Sequence, residues 1–389
     1  MVGHLNRCLL FIVAALLLAL IASPSGACPF CSMQGQTLTG EVSQASMVLF
    51  GKLTNAKEKA NGDGTTDLEV ETVVKDHEIR AGRKAITLER YIDSDPNGKY
   101  RYLVFCDVFK KKIDPYRGIA VKADSDLPKY LKGALELKDA KLEKRLRFCF
   151  DYLDNADVEV SNDAYKEFAN ADYKDYRDMT KDLPAEKVAG WLKDPKTPGF
   201  RFGLYASMLG HCGKPDDAKI LRRLLDDPEQ RVTSGVDGIL AGYVMLQPKE
   251  GWQYIRGVLA DPKKEFALRY ASLRSMRFFW EYRPDVVAKK DLAEGAAILL
   301  DQSDIADLAV EDLRKWSCWD MADRVLALRD KKEVYSIPIV KRSVLRFALS
   351  AKDNAAAKKY VEEQRSKDAE AVSSAEELLK LEVETKPEK

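Results

Sequence analysis

Histidine is nearly missing: three residues in a chain of 389. His4 lies in an apolar leader, His77 in KDHEIRAG and His211 in GHCG. None belongs to an HExxH zinc motif, a GxSxG serine elbow or a catalytic-cysteine signature. His211 beside Cys212 has the atoms to bind a metal or activate a thiol, but Gly210 and Gly213 around them read first as a helix–helix turn. A phosphate loop is lacking too, since NGDGTT (61–66) has neither the lysine nor the following helix it needs. Acids abound, yet no spacing singles out a carboxylate pair for glycoside chemistry. No catalytic constellation, resident metal or cofactor is expected.

An excess of one charge is also absent. The chain has 63 Lys and Arg against 62 Asp and Glu, with the signs interspersed. Nucleic-acid binding needs a basic face, so neither nucleic acid nor a polybasic hold on a membrane surface is expected. Lys110-Lys111-Lys112 is the only compact basic run. It reads as a charged hairpin tip or strand end that discourages edge pairing.

Long apolar runs are lacking, with one exception. Cys8 to Ala22, CLLFIVAALLLALIA, is unbroken but short of the roughly 20 residues a spanning helix needs. Arg7 precedes it, Pro24 and Gly26 break it, and Ser25-Gly26-Ala27 places small residues where a signal peptidase reads. Residues 1–27 are therefore expected to be a signal peptide, cleaved near Ala27, and the chain to be exported to the periplasm or beyond the cell. Lipid attachment at Cys28 is the rival reading, although Ser25 stands where leucine is usual. The leader takes away one Arg and no acid, so the mature chain is formally neutral, and no further run is long enough to span a bilayer. With 46% hydrophobic residues there is ample material for cores.

The cysteines come next. Cys8 leaves with the leader; Cys28, Cys31, Cys106, Cys149, Cys212 and Cys318 remain. Exported chains meet oxidising conditions, where pairing is the default. The Cys28-x-x-Cys31 motif has Ser32 where covalent haem would need His. It has no second CxxC for a zinc ribbon, and no core strand before it as thioredoxin-type chemistry requires. A structural staple is the leading expectation, with Cys28, Cys31, Cys106 and Cys149 as candidates; a redox-active pair stays open beside it, and metal behind both. A Cys31–Cys106 bridge would close a loop of about 75 residues, worth roughly 4 kcal/mol in the chain-entropy model. Cys149 could then take the other cysteine and link two domains. Cys212 and Cys318 fall in helical patterns as small hydrophobes.

Alternation of period two marks strands in MVLFGKL (47–53), DLEVETVV (67–74), AITLERYI (85–92), YLVFCDVF (102–109) and YRGIAVKA (116–123). The fourth is apolar on both faces apart from Asp107, as a central strand should be. Five short strands at this spacing suit a small closed barrel. Pro128 then opens a helix, with Ser125 or Asp126 as its cap.

The Cys pair followed by QASMVLFGKL (Gln44–Leu53), VETVVKD (Val70–Asp76) and YLVF (Tyr102–Phe105) resembles netrin-like modules, the family that includes the tissue inhibitors of metalloproteinases. The resemblance covers about residues 28–135. It implies an OB-type five-stranded barrel with a disulfide-tethered N-terminus. It also implies zinc chelation in a target protease through the amine and carbonyl of Cys28, although those relatives carry C-x-C where this chain has Pro29 and Phe30 between its cysteines.

Past Lys138 a 3.6-residue period takes over. EKRLRFCFDYL (143–153) puts Leu146, Cys149, Phe150 and Leu153 on one face. A pair of apolar residues then recurs, its second member at Leu153, Leu192, Leu225, Leu259 and Leu300, at intervals of roughly 33–41 residues. Asp194-Pro195, Asp227-Pro228 and Asp261-Pro262 mark one corner three times: a helix ends, Asp-Pro turns the chain, and another amphipathic helix begins. The pattern resembles HEAT-like repeats over about 140–366, capped by a more polar pair at 337–364. RFFWEY (277–282) and KWSCWD (315–320) offer Phe278, Phe279, Trp280, Trp316 and Trp319 as a partner surface, with core packing as the plainer role for the same residues. RFGLY (201–205) is read as core in the same way.

The expected fold is α+β and multidomain: signal peptide 1–27, an OB/netrin-like five-stranded β-barrel 28–138, an α-solenoid of HEAT-like helix pairs 139–366, and a charged, partly disordered tail 367–389. The expected role is an exported, non-enzymatic interaction or scaffold protein whose partner is another protein. Thiol–disulfide activity at Cys28/Cys31 and metalloprotease-inhibitor-like binding are the alternatives.

Overall fold

The computed structural model describes residues 28–59, 64–93, 95, 97–227 and 235–384. The expected signal peptide, residues 1–27, and Pro228 lie outside them. The described residues form two compact units, 28–180 and 181–384. The division falls well past the change of period near residue 138, because three helices beyond that point close the first unit.

The first unit is built on β1 (Met47–Glu58), β2 (Gly64–Lys75), β3 (Ala85–Leu88), β4 (Tyr100–Phe109) and β5 (Lys112–Lys122). They form one antiparallel sheet in the order β3-β2-β1-β4-β5. Alternation sorts the side chains. Met47, Leu49, Leu68, Ile86, Val104 and Cys106 share one core. Residues of the other parity, Val48, Phe50, Leu103 and Phe105, are buried as well. Burial on both faces is why β4 reads as a continuous apolar run.

The expected barrel is corrected here: among the described residues the sheet is open, with β3 and β5 as its edges. β3 has only four residues, and Pro115 in β5 has no N–H to give a further strand. The basic run does sit at a hairpin tip. Lys110 and Lys111, at φ 47° and 59°, form the two-residue turn between β4 and β5. Two positive φ values fit the turn that matches strand twist. Gly51 marks a bulge in β1, since a Cβ there would stand 1.8 Å from the Glu69 carbonyl oxygen.

The helices of this unit are α1 (Leu38–Gln44), α2 (Leu127–Glu136), α3 (Leu142–Phe150), α4 (Val158–Asn170) and α5 (Tyr173–Tyr176). α2 starts as expected: Asp126 is the N-cap residue, the Ser125 hydroxyl accepts from Leu127 N, and Pro128 lies in the first turn.

The second unit is helical: α6 (Ala185–Lys193), α7 (Phe202–Cys212), α8 (Ala218–Asp226), α9 (Val236–Leu246), α10 (Pro248–Ala260), α11 (Phe266–Tyr282), α12 (Lys289–Ile298), α13 (Ala306–Lys315), α14 (Ala322–Leu326), α15 (Lys332–Tyr335), α16 (Pro338–Ser350), α17 (Ala355–Lys367) and α18 (Ala369–Glu384). The recurrent corner is real in its backbone. Asp194, Asp227 and Asp261 each follow a helix in extended conformation, ψ 117°, 112° and 101°, as a residue before proline must. The carboxylates of Asp194 and Asp261 each accept the N–H two residues on.

Struts tie helices that are not successive in the chain. Gln302 donates to the Leu259 carbonyl at the end of α10 and accepts from Arg269 of α11. Arg274 of α11 pairs with buried Asp237 of α9, and Arg277 with buried Asp312 of α13. α7 and α9 meet through small residues: a Cβ on Gly238 would lie 2.3 Å from Gly203 O, and one on Gly242 2.3 Å from Ala206 O. Gly210 belongs to this contact, against Gly242, and not to a turn; only Gly213 ends the helix.

The stretch 367–389, read as a partly disordered tail, carries α18 as far as Glu384. Val372 and Ala375 are buried, and Glu382 is held between Arg314 and Arg346. Those two arginines give an acidic helix its docking site, and neither is visible from the tail's own composition.

Candidate functional site

The N-terminal segment is closed on itself by a disulfide and held to two helices of the first unit by hydrogen bonds. Cys28 and Cys31 form a disulfide with each other. Cys106 and Cys149 are free and buried, so the staple to β4 and the link through Cys149 are corrected. The segment docks on α4 and α5 and not on the sheet core. Cys28 N donates to Ala169 O at 3.2 Å, and the Tyr176 hydroxyl donates to Cys28 Sγ at 3.4 Å. Gly35 and Asn170 exchange two bonds, at 3.0 and 2.8 Å. Cys28 is 3% exposed, while Cys31 is half-buried.

The same segment leads into a buried polar cluster. Thr37 caps α1, its hydroxyl accepting from Gly40 N. The Asp163 carboxylate of α4 accepts from Leu38 N and Thr39 N, the first donors of α1, and from the Tyr130 hydroxyl at 3.1 Å. One turn on, Glu167 accepts from the Thr39 hydroxyl and pairs with Arg145. Helix N-termini favour such carboxylates. Burial nonetheless pushes Asp163 up from 3.8 to about 6, against the pull of its backbone donors. Burial likewise raises Tyr130 and the Cys149 thiol, whose sulfur lies 3.9 Å from the Tyr130 oxygen.

Beside this cluster lies a cavity of about 330 Å³, with Ser43, Lys138, Arg145, Phe148 and Glu167 in its wall. Its volume is in the range of small-molecule sites. The two carboxylates, however, spend their lone pairs on α1 and on Arg145. Their chemistry is that of a clamp.

The other free cysteines and the histidines among the described residues lie outside this cluster. Burial pushes the Cys106 thiol up to about 12, and Cys212 and Cys318 up to about 11. Thiols so shifted are poor nucleophiles at neutral pH. His77 Nδ1 accepts from Ile79 N and caps a short 3-10 turn, Glu78–Arg80. His211 and Cys212 lie in the last turn of α7. Among the described residues no three His, Cys, Asp or Glu side chains gather as a metal site, and no helix is long and apolar enough to cross a membrane.

The five aromatic surface candidates divide. Phe278 and Phe279 are core, as are Phe202, Leu204 and Tyr205 of α7. Trp280, Trp316 and Trp319 are half-exposed. Trp280 and Trp316 stack at 4.5 Å between centroids with Lys289 over Trp280, and Trp319 packs edge-on against Phe347.

Sequence reasoning missed Asp163 and Glu167. A signal was there: VEVSNDAYKEF sets both acids on the stripe of Val160, Ala164 and Phe168, the buried side of an amphipathic helix. No family model, no curated protein and no solved structure matches this chain.

Proposed function

We propose that the chain is an exported, non-catalytic interaction or scaffold protein, with an open-sheet β unit followed by HEAT-like helix pairs that bind another protein. The stacked Trp280–Trp316 pair carries the proposal. Two large aromatic rings remain half-exposed on helices fixed by buried struts, Arg277 to Asp312 among them. Aromatic groups on a rigid support are what protein interfaces use as anchors. The recurrent Asp-Pro corner supports the helix-pair reading, because single pairs cannot bury their stripes alone.

A photo-crosslinker at exposed Lys315, in the full chain as exported, tests this. A discrete crosslinked species that is lost in Trp316→Ala, with folding unchanged by circular dichroism, is expected. An uncrosslinked chain under native conditions would overturn it.

Half-buried Cys31 favours a second reading, thiol–disulfide exchange entered at that sulfur. Native-state alkylation separates the two: readily alkylated Cys28 and Cys31 in the exported chain support exchange, and a blocked pair supports the scaffold. Inhibitor-like zinc chelation would use the amine and carbonyl that Cys28 presents after cleavage; in the uncleaved chain its peptide N–H donates to Ala169 O and its carbonyl accepts from Cys31 N.

A further inference from the structure

The end of the helical unit is apolar where a stack of repeats needs a polar cap. Ile339, Leu378 and Leu381 are 51, 44 and 49% exposed; elsewhere in that unit Phe266 is the other large apolar side chain so open among the described residues. Of these, Leu378 lines a groove of about 570 Å³ between α16 and α18, which Tyr335 and Tyr360 also line, their hydroxyls 2.6 Å apart. The two walls follow helical spacing: Pro338, Lys341 and Leu345 on α16, Ala371, Ala375 and Leu378 on α18.

The walls also differ in sign. α16 presents exposed Lys341 and Arg342; the start of α18 presents exposed Asp368 and Glu370. One oxygen of Asp368 caps α18 by accepting from Ala371 N, which leaves Glu370 as the fully outward acid. A face with a basic wall, an apolar centre and an acidic wall is complementary to itself under a two-fold rotation, which sets each basic wall against the other copy's acidic wall.

We propose that this groove is the interface of a homodimer: a second copy of the chain covers it, Leu378 of each entering the groove of the other. Analytical ultracentrifugation of the full chain over a concentration series tests it. A dimer is expected, converted to monomer by Leu378→Asp and by Lys341→Glu with unchanged circular dichroism. Glu370→Lys should also be monomeric alone. Mixed with Lys341→Glu it should restore a heterodimer, because both walls are then matched again; a variant that merely failed to fold would not be rescued. A wild-type chain that stays monomeric, or a dimer indifferent to all three substitutions, would overturn the proposal. Capture of a different protein by the monomeric chain would count against it equally.

Discussion

Lys75 and Asp163 hold opposite ends of one seven-residue helix. The Lys75 ammonium donates to the carbonyls of Val42, Ser43 and Ala45, and the Asp163 carboxylate accepts from Leu38 N and Thr39 N. A helix of this length is unstable alone. Charges of the right sign at each end complement its dipole. Lys75→Met should therefore cost about 1–2 kcal/mol in urea unfolding, while Lys52→Met, in the neighbouring strand β1, should cost little.

Asp163 predicts a pH dependence. Its folded value of about 6 lies above the ordinary 3.8, so the folded unit binds this proton more tightly than the unfolded chain. The stabilisation is full below about pH 4 and is lost as pH rises through about 6, a change of roughly 3 kcal/mol. Asp163→Asn removes the titration but sets an amide against two backbone donors. It should be the weaker protein at pH 4, and the gap should narrow by about 2–3 kcal/mol by pH 7. Urea midpoints at four pH values check this; parallel profiles would contradict it.

Gly51→Ala should be among the most damaging single-methyl changes in the first unit. The added carbon meets backbone oxygen at 1.8 Å, and two paired strands cannot part without losing register. A loss of about 3 kcal/mol or more is expected. Gly118→Ala, where the same carbon meets nothing within 4 Å, should be near neutral by thermal unfolding.

The helical unit offers a matched pair of tests. Gly242→Ala should destabilise by about 2–3 kcal/mol, because the new methyl would press on the Ala206 carbonyl. Gly257→Ala, in open space on α10, should stabilise by about 0.5–1 kcal/mol through helix propensity. Hydrogen exchange would localise the first effect to α7 and α9.

Strand positions were legible because alternation is local: β2 was expected at 67–74 and runs Gly64–Lys75, and β4 at 102–109 runs Tyr100–Phe109. Closure of the sheet was not, since it depends on whether two edges meet, which no single strand encodes. Asp194 and Asp261 were legible as corners because proline constrains the residue before it. The partner of Cys31 was not, because a sulfur's partner is fixed by where its segment docks. Here Asn170 and Ala169 decide that, more than a hundred residues away in sequence. Gly210 misled for the reason glycine often does: the same residue serves a turn and a close helix contact.

Peptide mass mapping of the full chain, alkylated first in the native state and again after denaturation, bears most directly on the clasp that organises the first unit. Cys28 and Cys31 should be found joined to each other, with Cys106, Cys149 and Cys318 labelled only after unfolding. A Cys31–Cys106 linkage, or two early sulfurs that label freely in the native chain, would contradict it.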